Sequence, residues 1–338
     1  MHMADALLSP ATGAVMAAVS VGAMGYSAFK IKRDDLGEKK VPIMAVAGAF
    51  VFAAQMVNFT IPATGSSGHI GGGMLLAAML GGYPSLLTIA AVLVIQALFF
   101  ADGGLLALGC NIFNMGVIPC LIVYPLLFER IVRKGFTYKR IAFASVLSVV
   151  VALQLGAFSV VLETLASGVT QLPFGTFVLM MQPIHLAVGI VEGLITAAVL
   201  SFVYRMRPEL LESVGSREQI SAGVSMKKLL VALAVLTVVT GGLLSLFASA
   251  YPDGLEWSME RVAGTAELET NGTAFEQAAA IQEQTAFLPD YDFAQPKEGG
   301  ISGTTVSGLI GGAMTFLLAG ITGFAISRIK KRKQKVSA

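Results

Sequence analysis

Long apolar stretches, separated by short charged ones, divide this chain from end to end. Hydrophobic runs occupy positions 10–29, 41–60, 84–101, 104–128, 141–163, 177–203, 229–250 and 304–327. Each approaches or exceeds the roughly 20 residues a helix needs to cross a bilayer. A shorter, glycine-rich run at 69–83 predicts a short or broken helix. Irregular backbone at membrane depth is stable only where protein surrounds it or it lines a cavity. The pattern predicts an all-α integral membrane protein with about nine transmembrane segments.

The charged positions test that count. Apart from Arg261 and Lys297, every Lys and Arg falls in one of four clusters. These are Lys30 to Lys40, Arg130 to Arg140, Arg205 to Lys228, and the tail from Arg328 to Lys335. Nine segments with the N-terminus outside place all four clusters, and the C-terminus, in the cytoplasm, as the positive-inside rule requires. Without the short segment at 69–83 the parity breaks. The polar stretch 205–228 reads as a cytoplasmic linker between a seven-helix module (1–204) and a two-helix module (229–338). The loop at 251–301 carries ten acidic residues against two basic ones. It reads either as a surface that gathers cations or as a solvated spacer.

Composition agrees with a multi-pass protein. Of 338 residues, 55% are hydrophobic and 13% charged, with mean hydropathy +0.75; a soluble domain has about 25% charged residues. No basic region precedes the first apolar run, so no cleavable leader is expected. Cys110 and Cys120 would stand about 80° apart around one helix. That predicts small buried residues rather than a disulfide or a shared metal site.

The chemistry concentrates at the start. Only three histidines occur, His2, His69 and His185. The Met1 amine, the His2 amide nitrogen and one His2 ring nitrogen can reach a single metal, closing a five- and a six-membered ring. One more imidazole completes a planar four-nitrogen set, and His69, within GSSGHIGGG, is the candidate. Square-planar nitrogen suits Ni(II) or Cu(II). The alternatives are a chance second-position histidine and a tight glycine-rich packing loop.

Metal-bound histidines usually donate their second ring nitrogen to an oxygen. Asn58, Thr64, Ser66, Ser67 and Asp102 lie near the outer ends of their segments and are candidate supports; as single residues they also suit caps. Asn111 and Asn114 either line the site or bond between helices. His185 and Glu192 share one helix face. Intramembrane ionisable groups are functional candidates, though these two also suit a structural bond. Ala14, Ala18 and Gly22 form a small-residue stripe of the kind that lets helices approach closely, either inside the module or against a partner subunit.

The opening MHMADALLSP, followed by GSSGHIGGG and FADGGLLALGCNIFNMG, resembles the metal-capture (S) component of energy-coupling-factor nickel/cobalt transporters, the NikM/CbiM family. The region with YPDGLEWSMERV at 251–262 and LPDYDF at 288–293 resembles the family's small N component. Together they cover nearly the whole chain and imply a natural fusion. The resemblance implies a metal held by the Met1 amine, the His2 amide and ring, and the His69 ring. It also implies a non-enzymatic subunit, working in a prokaryotic plasma membrane with a transmembrane coupling (T) subunit and two ABC-type ATPases. No GxxxxGK[ST] phosphate loop occurs in the chain. The form HMADALLSP leans towards nickel, with cobalt import by the same mechanism as the alternative. A stand-alone divalent-metal transporter would show acidic groups along a membrane path, and few are present. A membrane metalloprotease would need a motif such as HExxH, which is absent.

Overall fold

Apolar residues in lipid have no water to satisfy their backbone, so each run closes its own hydrogen bonds as a helix. The computed structural model describes residues 2–34, 39–216, 223–293 and 302–336. Met1, Arg217, Lys297 and Glu298 lie outside them. The first helices are α1 (Pro10–Asp34), α2 (Lys40–Gln55), α3 (Gly73–Leu80) and α4 (Gly82–Phe99). A continuous span follows: α5 (Leu108–Ile112), a wide-turned π-helical stretch (Phe113–Phe128) and α6 (Glu129–Val132). Then come α7 (Tyr138–Ala166), α8 (Phe174–Met206), α9 (Pro208–Ser216), α10 (Lys227–Gly242), α11 (Gly254–Ala263), α12 (Thr273–Thr285) and α13 (Gly303–Val336).

Seven helices among the described residues are long and apolar enough to cross a membrane. The other two predicted segments are the 16-residue α2 and the eight-residue α3. At about 1.5 Å per residue α2 spans roughly 24 Å, short of the ~30 Å hydrocarbon thickness. It is stable because protein surrounds it. Every residue from Ile43 to Gln55 is buried, with α4, α10 and α13 packed around it. A Cβ at Gly311 of α13 would overlap the tip of the Phe52 ring.

Three features depart from the apolar count. The run at 41–60 ends as a helix at Gln55 and turns into a hairpin. There β1 (Phe59–Ile61) pairs antiparallel with β2 (Ser66–Gly68), Thr60 opposite Ser67. The aromatic and β-branched Phe59, Thr60 and Ile61 suit a strand, and Pro62 ends it. The loop at 251–301 contains helices. Asp253 caps α11 by accepting from Leu255 N and Glu256 N at 2.7 and 3.0 Å, and the Glu256 side chain accepts from Asp253 N in return. The stretch at 205–228 contains α9, whose Leu210, Leu211 and Val214 are buried at the end of α3.

The short helix α3 is wedged against the π-helical stretch, which contains Pro119 and Pro125. Proline has no N–H for an ordinary helical turn, and wide π turns recur at functional sites. Gly73 opens α3 where a Cβ would overlap the Met115 carbonyl oxygen and come within 2.7 Å of Pro119 Cγ. Only hydrogen fits there. Gly73→Ala is therefore expected to destabilise the protein by roughly 1–3 kcal/mol. Gly22→Ala, with nothing within 4 Å of the new methyl, should leave stability unchanged. Thermal unfolding in detergent measures both, and equal melting of the two variants would refute the wedge.

Candidate metal centre

The first residues of the chain are inserted among the helices. Met3 is fully buried. Its backbone N–H donates to Asn111 Oδ1 at 2.8 Å, and its carbonyl accepts from Asn111 Nδ2 at 3.2 Å and from Gly104 N at 2.9 Å. Asp5 Oδ1 accepts from Ala107 N at 2.9 Å. A Cβ at Gly104 would overlap Asp5 Oδ1, which gives FADGG a physical reason: the arm lies where a side chain would stand. Asn114, one turn beyond Asn111, donates to Glu163 Oε2 at 2.8 Å and touches Met3 Sδ at 3.7 Å.

This clasp brings His2 to His69. The two rings stack with centroids 5.3 Å apart and planes 24° apart. His69 Nδ1 lies 3.0 Å from the Ile70 carbonyl, which can only accept, so Nδ1 carries the proton and Nε2 keeps its lone pair. A chain of amide hydrogen bonds fixes His2. Gln55 Nε2 donates to the Gly71 carbonyl at 3.0 Å. That leaves Gln55 Oε1 to accept from Gln96 Nε2 at 2.8 Å. Gln96 Oε1 is then the acceptor for His2 Nε2, 3.1 Å away. A carbonyl thus sets the direction of the whole relay, and His2 Nδ1 is left unprotonated. Burial also pushes the His2 imidazole down to about 3, so it is neutral near pH 7. A neutral ring with its outer nitrogen committed is the form that binds metal.

Of the candidate supports, one reaches a ring. Asp102 Oδ1 stands 3.4 Å from His2 Nδ1. With the ring proton committed to Gln96, two acceptors face each other across that distance, so the carboxylate flanks the free ring nitrogen without a hydrogen bond to it. Burial raises the Asp102 carboxyl above its ordinary value. The remaining candidates bind the C-terminal region instead. Ser67 donates its hydroxyl to Tyr251 O at 2.7 Å and its N–H to Pro252 O at 2.8 Å. Ser66 Oγ reaches Pro252 O at 3.4 Å. The carbonyls of Thr64 and Asn58 accept from Trp257 Nε1 at 3.0 Å and Ser249 N at 2.8 Å. They carry the loop that overlies His69, because a hairpin rim offers its polar groups outward.

His185 and Glu192 do not bond each other. His185 Nδ1 donates to Met181 O at 2.8 Å within its own helix. Glu192 accepts from Gly71 N and Gly72 N, both at 2.9 Å, where α3 begins and a negative charge is favoured. Its carboxylate fixes the two residues that follow Ile70, and so the path of the chain past His69. A cavity of about 30 Å³ beside His69 is lined by Met74, Asn114, His185, Glu192 and Asp253, among others. Gln55, Gln96, Asp253 and Tyr291 join the site without having been candidates for it, although Asp253 and Tyr291 stand in the YPDGLE and LPDYDF motifs. The two glutamines had a signal: each is a lone buried amide in an apolar run, AAQMV and LVIQALF. Buried polar groups require partners.

Comparisons with known proteins bear on this arrangement. Residues 2–210 match the CbiM model, described as a cobalt uptake substrate-specific transmembrane region, and residues 227–328 match the PDGLE domain. A relative from Archaeoglobus fulgidus, named for fused nickel transport (NikMN), is 31% identical over 97% of this chain and 98% of its own length. The fused nickel transport protein NikMN of Rhodobacter capsulatus is 32% identical over 62% of this chain and 64% of its own. A crystal structure of a truncated transition metal transporter is 32% identical and superposes with a TM-score of 0.53, over 61% of this chain and 99% of that one.

The relay makes Gln96 the residue that decides the His2 tautomer. Gln96→Leu keeps the size of the side chain and removes the acceptor. It is expected to weaken metal affinity about 10- to 100-fold, measured by competition with a chromogenic chelator. Wild-type affinity in this variant would show that the relay does not set the ring.

Proposed function

This chain belongs to the CbiM family of substrate-specific transmembrane regions, with a PDGLE domain after it, and from that premise we propose that it captures nickel ions for import across the plasma membrane. It is a multi-pass membrane protein. We assign the cargo site to the Met1 amine, the His2 amide nitrogen and Nδ1, and His69 Nε2. The observation that carries this reading is the pair of stacked imidazoles, each with one nitrogen committed to an acceptor and the other left as a free lone pair. The clasp on Met3 supports it further, because it holds the backbone next to the proposed chelate in one place.

Four nitrogens in a plane suit d⁸ Ni(II), whereas Zn(II) prefers a tetrahedron. Co(II) gains less from planarity and ranks second. The N-terminus faces outward in this reading and the four basic clusters face the cytoplasm. Energy comes from partners: a transmembrane coupling subunit and two ABC-type ATPases, since the chain carries no phosphate-binding loop of its own. Residues 1–204 form the capture module and 229–338 the second module, joined by 205–228. The PDGLE domain covers the outer face of the site, as the bonds from Ser67 to Tyr251 and Pro252 support.

A terminal amine cannot be replaced by any side chain. Extending the N-terminus by one residue is expected to abolish high-affinity nickel binding while leaving the melting temperature of the metal-free protein unchanged. A C-terminal extension should do neither. Isothermal titration on both proteins decides, and equal binding would overturn the assignment.

Proton release gives a second check. At pH 7 the terminal amine, with an ordinary pKa of about 7.7–8.0, is mostly protonated, and the amide must also lose its proton. His2 has none to give, because burial holds it at about 3. Binding should therefore release about two protons per nickel. Affinity should rise with pH, about a hundredfold per unit near pH 7, and less steeply once the amine is free. Calorimetry in buffers of different ionisation enthalpy counts these protons. Fewer than one would exclude amide coordination.

A further inference from the structure

Left-handed backbone costs a residue with a side chain on the order of 1–3 kcal/mol and persists only where its surroundings enforce it. Among the described residues, four non-glycine residues have positive φ: Ala63, Ala101, Asp290 and Tyr291. The last three meet at one junction, where the end of α4 meets the PDGLE domain beside His2. Phe287 N and Asp290 N donate to the carbonyls of Phe99 and Phe100 at 3.2 and 2.8 Å. The Tyr291 ring stacks on Phe100 with centroids 5.1 Å apart, and Ser307 Oγ donates to the Tyr291 carbonyl at 3.2 Å. The strained backbone, the stacked ring and the held carbonyl converge on one result: the Tyr291 hydroxyl donates to Asp102 Oδ2. The other oxygen of the same carboxylate, Oδ1, is the atom 3.4 Å from His2 Nδ1.

A buried carboxylate beside a divalent ion is normally a ligand. Here that would be damaging. An oxygen added above the plane turns a four-coordinate site into a five- or six-coordinate one. Such a site no longer gives nickel its square-planar advantage and suits other divalent ions better. Two donors at right angles and about 2.0–2.1 Å from one metal stand roughly 2.9 Å apart, closer than the 3.4 Å between Oδ1 and His2 Nδ1; Asp102 would have to shift to share a metal with that nitrogen, and its Oδ2 is tied to a hydroxyl whose own backbone is locked.

We propose that Tyr291, a residue of the PDGLE domain, is a specificity-determining positioning residue: by holding Asp102 Oδ2 it keeps the carboxylate beside the nickel plane and out of the coordination sphere. The carboxylate still lends its charge to the site but not a bond. The proposal rests on the planar cargo site argued above.

The test uses the full chain purified in detergent, loaded with Ni²⁺, and challenged with Co²⁺ and Zn²⁺. Wild type should give a diamagnetic, yellow-orange nickel complex. Tyr291→Phe keeps the ring on Phe100 and removes only the hydroxyl. It should give paramagnetic nickel with weak absorption bands, and its preference for nickel over zinc should fall about tenfold. Adding Asp102→Asn to Tyr291→Phe should restore the diamagnetic spectrum, because an amide is a poor ligand. A purely structural role for Tyr291 would weaken binding without changing the spin state. Diamagnetic nickel at wild-type preference in Tyr291→Phe would overturn the proposal, as would paramagnetic nickel in the double variant. Paramagnetic nickel in wild type would instead remove the planar reading beneath it.

Discussion

The pair of hydrogen bonds between Asn111 and the backbone of Met3 is the contact on which the rest of the centre depends. A chain terminus is held covalently from one side only and ordinarily frays. Here a single amide side chain satisfies both the donor and the acceptor of one peptide unit, at 2.8 and 3.2 Å. Asp5 pins the next turn of backbone to Ala107. The cost of ordering this arm, about 1–2 kcal/mol per residue of backbone, is met by burying Met3, Leu7 and Leu8 in a shared apolar cluster. His2 is then held both through its ring, by Gln96, and through the backbone of the residue that follows it.

A second constraint follows from burial. An imidazole in an apolar surround resists a proton, and its tautomer is set by whatever hydrogen bond is on offer. The Gly71–Gln55–Gln96–His2 relay offers one choice only, because it begins at a carbonyl. It also ties the two halves of the site together: Gly71 follows the His69 loop, and Gln96 precedes Asp102. The N–H groups of Gly71 and Gly72 are in turn held by Glu192. Movement of α3 or α8 would therefore reach both rings through these bonds, and small helix shifts are an established way to alter a buried site.

Much of this was legible in the sequence, and the missing parts share a cause. Runs of apolar residues located the long helices, since lipid enforces helix formation wherever the run is long enough. The pairing of His2 with His69 followed from the rarity of histidine and the chelating reach of a terminal amine. The hairpin at Phe59–Gly68 was hidden because its first strand continues an apolar run without a break. Ser66, Ser67, Thr64 and Asn58 have the sequence setting of supports for the rings, yet they hold the PDGLE loop; contacts across more than 180 residues leave no local trace. Tyr291 stands in the LPDYDF motif, but its bond to Asp102 was hidden for the same reason. Its hydroxyl matters only once the chain has folded back onto Asp102, 189 positions earlier.

The packing of α10 and α13 around α2 fixes something besides stability. Because α2 is too short to face lipid alone, the helices that cover it must arrive in equal number with it. Joining them on one chain turns docking into an intramolecular event at high effective concentration. Each centre is then made with its own cover, and no surplus of either part accumulates. An organism with this arrangement controls stoichiometry at translation, with no need to balance two separate gene products in the membrane.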